Sequence, residues 1–475
     1  MINYKSKKTM KINSTHKLLL LLTAPLLLQS CFVAKDYARP DLETQHLYRT
    51  DQLPQDSVSM ADISWRELFN DPQLEAYIAQ GLENNLDIRI ALENITAAEA
   101  YLKQGKAGYY PSLDLSASAN RTKNAENSQF GSFFSEALTQ YDLSATLSWE
   151  ADIWGKIRSN KRAFGASYLQ SVAAHQAVKT NLVAALANTY YQLLALDKQH
   201  EIAQQTLEAR KRALETTQAL KDAGQLTQVA VKQTEAQVYS TEIILIDLEN
   251  NINLLENSFS ILLGEASNEV PRGRLDEQRI DSELNTGVPF MLLTNRPDVM
   301  QAEFGLINAF ELTNVAKSSL YPSLRLSASG GFQSLLFEDW LSGSSLFSSL
   351  TASLTQPLIN GRRLRTQLEV ARAGQQQALL SYKKILLTAG REVSDALSNY
   401  RAETDKLEAR TKELDAYAKA EEYSEELLNN GLANYLEVLT ARQNALNSEL
   451  GLVDSQYGQL SAMVDLYRAL GGGWK

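Results

Sequence analysis

Apolar and polar residues alternate strictly over residues 141–153, where Tyr, Leu, Ala, Trp and Ile are separated by Asp, Ser, Thr and Glu. A period of two predicts a β-strand with one apolar and one polar face. A strand of this length can cross a bilayer with tilt, although a sandwich strand against a dry core would alternate in the same way. Charges on the polar face of this strand favour a wet lumen; they are Asp142, Glu150 and Asp152. Arg325 is in the same phase of a second alternating segment at 324–329.

Long helices are the second pattern. Residues 156–220 contain no Pro, and an uninterrupted helix over them would be on the order of 100 Å long, more than a compact globule needs. Two apolar stripes step alternately by three and four residues; they are Leu245, Leu248, Ile252, Leu255, Phe259 and Leu262, and Leu446, Leu450, Val453, Tyr457, Leu460, Val464 and Tyr467. Such stripes predict helix-on-helix seams whatever the function.

The chain is duplicated. The segment YPSLDLSAS at residues 110–118 returns 211 positions later as YPSLRLSAS, with eight of nine residues identical. Pro disfavours helix at the residue before it and suits the first position of a strand. Pro111 and Pro322 are therefore predicted to mark helix-to-strand junctions.

The repeat unit is helix, strand, loop, strand, very long helix, tight Gly turn and returning helix. The predicted organisation is a signal peptide at 1–30, a lipidated N-terminal segment at 31–65, repeat 1 at 66–264, a connector or equatorial region at 265–294, repeat 2 at 295–471 and a tail at 472–475. Strands are predicted at about 111–122, 139–153, 322–334 and 346–358, and long helices at about 156–221, 226–262, 361–429 and 433–470.

The N-terminus has the pattern of a secretion signal. Five Lys precede a short apolar run at residues 18–28, which is followed by Leu-Gln-Ser-Cys. The only Cys of the chain, Cys31, falls directly after the expected cleavage site, which predicts a bacterial lipobox with a lipidated Cys31. The alternative is an ordinary signal peptide with a chance Cys. Phe32, where some bacterial lipoproteins have Asp, favours export to the outer membrane by resemblance to those proteins.

Charge and composition exclude several classes of protein. The net charge is −10, and removing residues 1–30, with five Lys and no acid, makes it −15, which argues against a nucleic-acid partner. The four His are scattered without metal-ligand spacing, and one Cys cannot form an intramolecular disulfide. No phosphate-binding Gly loop or nucleophile elbow is found. We therefore expect no catalytic residue, no metal and no cofactor apart from the lipid on Cys31.

Four membrane strands cannot close a barrel by themselves. An open sheet edge in lipid would leave backbone N–H and C=O groups unpaired. After the signal, no stretch approaches the roughly eighteen apolar residues of a spanning helix. Either the strands are not transmembrane, or several chains pool their strands, which predicts a homo-oligomer.

These landmarks resemble the TolC-type outer membrane efflux proteins over essentially the whole mature chain. The resemblance rests on the two Tyr-Pro-Ser-Leu segments, Arg-Pro-Asp at 296–298 and Gly-Leu-Ala-Asn-Tyr-Leu-Glu-Val-Leu at 431–439. The lipobox and Asp-Tyr-x-Arg-Pro at 36–40 indicate the lipoprotein branch, the outer membrane factors of resistance–nodulation–division pumps.

The resemblance implies an α+β membrane protein that forms a homotrimer. Three chains would close a twelve-stranded β-barrel in outer membrane lipid, continued as a long periplasmic α-helical barrel, with a palmitate-type lipid on Cys31. It implies a passive exit duct for drugs or other toxic compounds, as in multidrug resistance, served by a periplasmic adaptor and an inner-membrane transporter of that class. Alternatives are a metal-efflux or type I secretion duct, or a coiled-coil periplasmic adaptor or structural lipoprotein, which should carry only one helical hairpin.

The resemblance also implies where the duct closes. Leu436, Glu437 and Tyr435 map to the periplasmic gate, where three carboxylates around a narrow axis would repel one another and attract cations. Read without the family, Glu437 is one more solvated helix charge. Two positions that help to lock the gate in some relatives are Thr440 and Ala433 in this chain, so closure is expected to rely more on Leu436 and Tyr435.

Gly224 and Gly431 break the long helices. A tight turn between antiparallel helices needs a residue that tolerates positive φ. The resemblance further implies that these hairpin tips meet the adaptor.

Overall fold

The computed structural model describes residues 33–42, 47, 59–133, 136–279 and 291–475. The predicted α+β class and the duplicated order of elements are confirmed, since the chain is mostly helical with one small antiparallel sheet. The helices are α1 Trp65–Leu68, α2 Pro72–Asn84, α3 Leu86–Ala107, α4 Lys156–Asp222, α5 Gln228–Leu263, α6 Leu292–Asn295, α7 Pro297–Ser318, α8 Arg363–Asn429 and α9 Tyr435–Leu470. The strands are β1 Ser112–Thr122, β2 Leu138–Ala151, β3 Ser323–Ser334 and β4 Leu346–Thr355, and short 3-10 helices cover Met60–Asp62, Leu275–Glu277 and Gly343–Ser345.

The described residues form two compact units, each built from both halves of the sequence. The first draws on residues 33–40, 97–133, 136–169 and 304–380 and contains the sheet. The second draws on residues 41–42, 47, 59–96, 170–279, 291–303 and 381–475 and contains the hairpins in which α4 meets α5 and α8 meets α9.

The sheet has the order β1-β2-β3-β4, with every neighbouring pair antiparallel. The register places apolar residues opposite one another from strand to strand, so that Leu113, Leu147, Ala328 and Leu350 form one row. The next row, on the opposite face, is Asp114, Thr146, Ser329 and Ser349. The alternation in the sequence therefore becomes a sheet with one apolar and one polar face.

Part of each apolar stripe predicted as a helix seam is buried. In the second unit, Leu248 and Phe259 of α5 and Val453, Val464 and Tyr467 of α9 are all buried. Among the described residues, none of these helices combines the length and the apolar composition needed to cross a membrane.

Each returning helix ends on a glycine that packs closely against the start of its repeat. Gly264 has φ +79° and Gly471 has φ +95°, and both donate a backbone N–H to the last turn of the helix. A Cβ at Gly264 would lie 2.5 Å from the carbonyl oxygen of Asn84, and one at Gly471 would lie 2.4 Å from that of Asn295. Both the backbone conformation and this approach require glycine.

The residue that opens the second helix of each repeat reinforces this junction. Asn85 Nδ2 donates to the carbonyl oxygen of Leu262 at 2.9 Å. Arg296, from Arg-Pro-Asp, donates Nη1 to the carbonyl oxygen of Ala469 at the same distance. Both repeats thus tie the end of the returning helix to the start of the same repeat, Asn85 in the first and Arg296 in the second.

Candidate gate at the hairpin tips

Both long-helix hairpins turn through a glycine in the left-handed conformation. Gly224 has φ +77° and Gly431 has φ +69°. Gly224 and Gln225 donate backbone N–H groups to Lys221 and Leu220, and the second hairpin repeats this pattern, which is the Schellman arrangement. In the part of the chain that the structure describes, a Cβ built at either glycine meets no atom within 4 Å beyond those of its own chain neighbours. The turn conformation alone therefore accounts for the two glycines.

Tyr435, the first residue of α9, reaches across to the first hairpin. Its hydroxyl lies 2.5 Å from Thr234 Oγ1 on α5 and 3.2 Å from Thr217 Oγ1 on α4. Both threonines are buried. We call this set of three residues the tyrosine latch, because it joins the tip of the second hairpin to both helices of the first.

The protons of the latch can be assigned from the remaining contacts. Thr234 Oγ1 donates to the carbonyl oxygen of Ala230 at 2.9 Å, which commits its only proton. Tyr435 therefore donates to Thr234. Thr217 has one proton as well and shares it between the Ala213 carbonyl oxygen at 2.7 Å and the Tyr435 hydroxyl at 3.2 Å, so its contact with Tyr435 is the weaker of the two bonds of the latch.

Leu436 lines a groove between the two tips. The groove has a volume of 630 Å³, and Leu436 is 58% exposed. It contains no charged side chain; its lining is Leu220, Gln225, Leu226, Thr227, Val229, Ala230, Gln233, Leu428, Gly431, Ala433, Asn434, Tyr435 and Leu436. An exposed leucine in an uncharged groove suits a contact with another apolar surface at the tip.

Glu437 takes part in capping α9. Its backbone N–H donates to Asn434 Oδ1 at 3.1 Å, and Asn434 Nδ2 donates to Glu437 Oε1 at 3.1 Å. A carboxylate in the first turn also interacts favourably with the helix dipole. The Glu437 side chain is exposed beside Leu436, so capping leaves the carboxylate accessible.

Buried charges near the latch were not predicted from the sequence. Arg210 is buried, and its guanidinium donates to uncharged groups on α5 and α9: the Gln237 carbonyl oxygen, Thr241 Oγ1 and Gln443 Oε1, at 2.6–2.9 Å. Burial lowers the pKa of Arg210 from its ordinary value. None of these hydrogen-bond partners is a carboxylate. Arg210 therefore holds α4 against α5 and α9 through directed hydrogen bonds to uncharged groups.

Carboxylates surround a second arginine at the same seam. Arg442 pairs with Glu425 and lies 3.5 Å from Glu421 Oε1. Burial raises the pKa of Glu421 and also that of Glu449. Arg210, Arg442 and these three glutamates line one pocket of 180 Å³.

The predicted junction prolines lie in the first unit. Pro111 and Pro322 directly precede β1 and β3. The Pro322 carbonyl accepts the indole N–H of Trp154 at 2.7 Å, and Tyr109, two residues before Pro111, accepts that of Trp149 at 2.9 Å. A tryptophan therefore fixes the backbone at each turn from helix to strand.

The structure brings some predicted residues together and separates others. Gly431, Tyr435 and Leu436 line one groove, whereas Pro111 and Pro322 belong to the other unit. Cys31 lies outside the described residues. Sequence reasoning missed Thr217 and Thr234, although their equal distance from the turn at 225–226 was an available signal.

Comparisons with known proteins agree with this architecture. The outer membrane efflux protein profile matches residues 77–265 and 288–472. The chain is 28% identical over 458 residues to the solvent efflux pump outer membrane protein SrpC of Pseudomonas putida, covering 95% of this chain and 97% of that protein. It is 25% identical over 453 residues to the cation efflux system protein CusC of Escherichia coli, with coverages of 95% and 97%.

Solved structures give the same result. The outer-membrane channel OprN aligns with a TM-score of 0.84 and 25% identity, over 93% of this chain and 99% of that chain. The family profile matches well over half of the residues, in two segments that correspond to the two repeats. The chain therefore belongs to the outer membrane efflux protein family.

Proposed function

We propose that this chain is the outer-membrane channel subunit of a tripartite efflux pump and acts as a passive exit duct. Three copies form the duct, an inner-membrane resistance–nodulation–division transporter supplies energy, and a periplasmic adaptor connects the two. The relatives named above are components of solvent and cation efflux systems. Drugs or other toxic compounds are the proposed cargo, and metal cations are the alternative that the second relative supports.

The sheet is the observation that carries the proposal. Within the described residues, β1 and β4 each pair on one side only, and the sheet has one apolar face. An apolar face in lipid satisfies the side chains, but two open edges leave backbone groups without partners. Joining β4 of one copy to β1 of the next, three times, removes every edge and gives twelve strands.

The gate is proposed at the tips of the second hairpin. Leu436 supplies an apolar ring and Glu437 an acidic ring when three copies surround one axis, and Tyr435 holds the hairpin in place. Leu436 and Glu437 are exposed in the single chain, as residues of a ring between copies must be. Gly224 and Gly431 leave uncrowded turns on which the adaptor can dock.

A lipid on Cys31 is proposed to anchor the mature N-terminus in the outer membrane. The residues shortly after Cys31 support this anchor, because Lys35 and Asp36 are bonded to other parts of the chain. Lys35 exchanges two hydrogen bonds with the side chain of Asn314, at 3.3 and 2.9 Å, and Asp36 pairs with Arg162 at 2.7 Å. Incorporation of labelled palmitate that Cys31→Ala abolishes would support the anchor, and unchanged labelling would contradict it.

The test of the proposed function combines assembly with conductance. Protein extracted from outer membranes should run as a heat-modifiable trimer and should give single channels in planar bilayers. A soluble monomer in the absence of detergent, without conductance, would defeat the channel proposal and favour the adaptor alternative. If the protein does form channels, the neighbouring genes would indicate the class of cargo.

A further inference from the structure

The connection between β3 and β4 exposes a run of large apolar side chains. Phe337 is 67% exposed, and Leu336 and Leu341 are exposed to a similar degree. Trp340 lies among them and is half-buried. We call Leu336, Phe337, Trp340 and Leu341 the outer apolar patch, because it lies at the end of the sheet away from the helices.

Aromatic contacts fix the side of the sheet on which this patch lies. The ring of Tyr141 on β2 is 5.3 Å from Phe337 and 5.9 Å from Trp340, and the last two rings are 5.9 Å apart. Tyr141 alternates in phase with Leu143 and Leu147, so it belongs to the apolar face. The loop therefore folds over the apolar face and extends it beyond the strand ends.

The loop has a defined internal structure that presents the patch. Trp340 donates its backbone N–H to Phe337, and Ser342 donates to Asp339. Ser345 Oγ donates to the Asp339 carbonyl oxygen at 2.7 Å. These bonds hold the apolar side chains against Tyr141 and close the turn around Asp339.

Charge limits how deeply such a loop can enter a membrane. Glu338 and Asp339 interrupt the apolar run, and both are exposed. Carboxylates remain in water or among polar headgroups, whereas Trp and Phe favour the boundary between headgroups and acyl chains. Apolar side chains directly beside an acidic pair match that boundary better than they match bulk water.

We propose that the outer apolar patch is a lipid-binding surface that dips into the outer leaflet and packs against acyl chains. It thereby fixes the depth of the barrel from its outer end. The inference rests on the proposed function, because it needs the apolar face of the sheet to be in lipid. The position of Tyr141 on that face argues against a lumenal plug, which would have to fold over the polar face.

The test measures the environment of single cysteines in full-length protein reconstituted into phospholipid nanodiscs, on a Cys31→Ala background. Phe337→Cys and its neighbour Glu338→Cys carry a small fluorophore, and quenching is measured with nitroxide-labelled lipid and with aqueous iodide. We expect lipid quenching several-fold stronger at position 337 than at 338, and the reverse order with iodide. Leu341→Cys repeats the measurement from the other side of the patch in case Phe337→Cys does not fold.

Strand positions separate failure of this inference from failure of the proposed function. Leu350, 83% exposed on the apolar face, should be quenched by lipid as Leu350→Cys, whereas Ser349→Cys on the polar face should not. If Leu350→Cys reports lipid but positions 337 and 341 report water, only the patch inference is overturned. Shielding of 337 and 341 from both quenchers would also overturn it and indicate cover by the β1–β2 loop of a second copy. If Leu350→Cys does not report lipid, the barrel proposal fails.

Discussion

Removing one hydroxyl group from the tyrosine latch tests how the proposed gate is held closed. Tyr435→Phe keeps the ring and its packing and deletes only the oxygen that lies between Thr217 and Thr234. If the gate opens by moving the second hairpin away from the first, both hydrogen bonds break on opening. The substitution then favours the open state without altering the rest of the tip.

The free-energy change expected from Tyr435→Phe depends on the hydrogen bonds that Thr217 and Thr234 retain. Thr217 and Thr234 each retain a backbone acceptor one turn earlier, at 2.7 and 2.9 Å, so neither hydroxyl proton is left without a partner. The loss is then close to the net value of an ordinary buried hydrogen bond, about 1 kcal/mol per chain. Three latches that open together amount to about 3 kcal/mol, or roughly a hundredfold in the ratio of open to closed channels.

The assay is single-channel recording in planar bilayers, together with cell uptake of an antibiotic too large for an intact outer membrane. Tyr435→Phe should raise open probability and uptake. The matched control is Tyr423→Phe on α8, where the ring is 57% exposed and makes no latch. This control removes the same group near the same tip and should behave as wild type.

A double-mutant cycle gives the strictest test. Thr234→Val removes the partner that receives the Tyr435 proton, so adding Tyr435→Phe to Thr234→Val should change the gate less than Tyr435→Phe does alone. Fully additive effects would mean that the two residues act separately. Wild-type conductance and uptake in Tyr435→Phe would refute the latch as a constraint on opening.

Three further predictions concern other parts of the chain. Leu436→Ser should make cells permeable to large antibiotics, whereas Leu254→Ser, which changes a leucine of similar exposure (56%) on α5, should not; equal uptake in both would remove Leu436 from the gate. Gly471→Ala should lower stability by at least about 1–2 kcal/mol because of its positive φ, measured as a drop in melting temperature. Gly374→Ala on α8 is the control: among the described residues an added Cβ there meets nothing within 4 Å beyond its own helix, so it should be neutral or slightly stabilising. Glu449→Gln should raise the melting temperature at pH 7.5 but not below about pH 4. Burial raises the folded-state pKa of Glu449, so the ionised carboxylate destabilises the fold only as the pH rises past the ordinary glutamate pKa of about 4.3. An equal gain at both pH values would show that charge is not the cause.

Patterns with a short period predicted the fold well. Alternation over residues 141–153 identifies a strand because side chains on a strand point to opposite faces at every step. Stripes at three and four residues identify helix seams for the corresponding reason. The cap of α9 was not predicted, although Asn434 and Glu437 have the spacing of a capping box in the sequence.

Contacts between distant segments account for what the sequence did not reveal. Arg210 and Gln443 are 233 positions apart, and Thr217 and Tyr435 are 218 apart. A threonine in a long helix is usually an ordinary polar residue, and nothing local marks it as the partner of a tyrosine in the other repeat. Such pairs become visible only when the two hairpins are placed side by side.

The duplication explains why the gate is proposed on one hairpin only. Both tips share a glycine turn and an N-cap, Thr227 in the first and Asn434 in the second, each accepting the N–H of the third residue after it. The next three residues differ, because Gln-Val-Ala at 228–230 corresponds to Tyr-Leu-Glu at 435–437. The first hairpin therefore lacks the ring, the exposed leucine and the carboxylate at these positions, but it supplies the hydroxyls that Tyr435 contacts. One repeat therefore supplies the partners of Tyr435, and the other carries the three residues that we propose for closure.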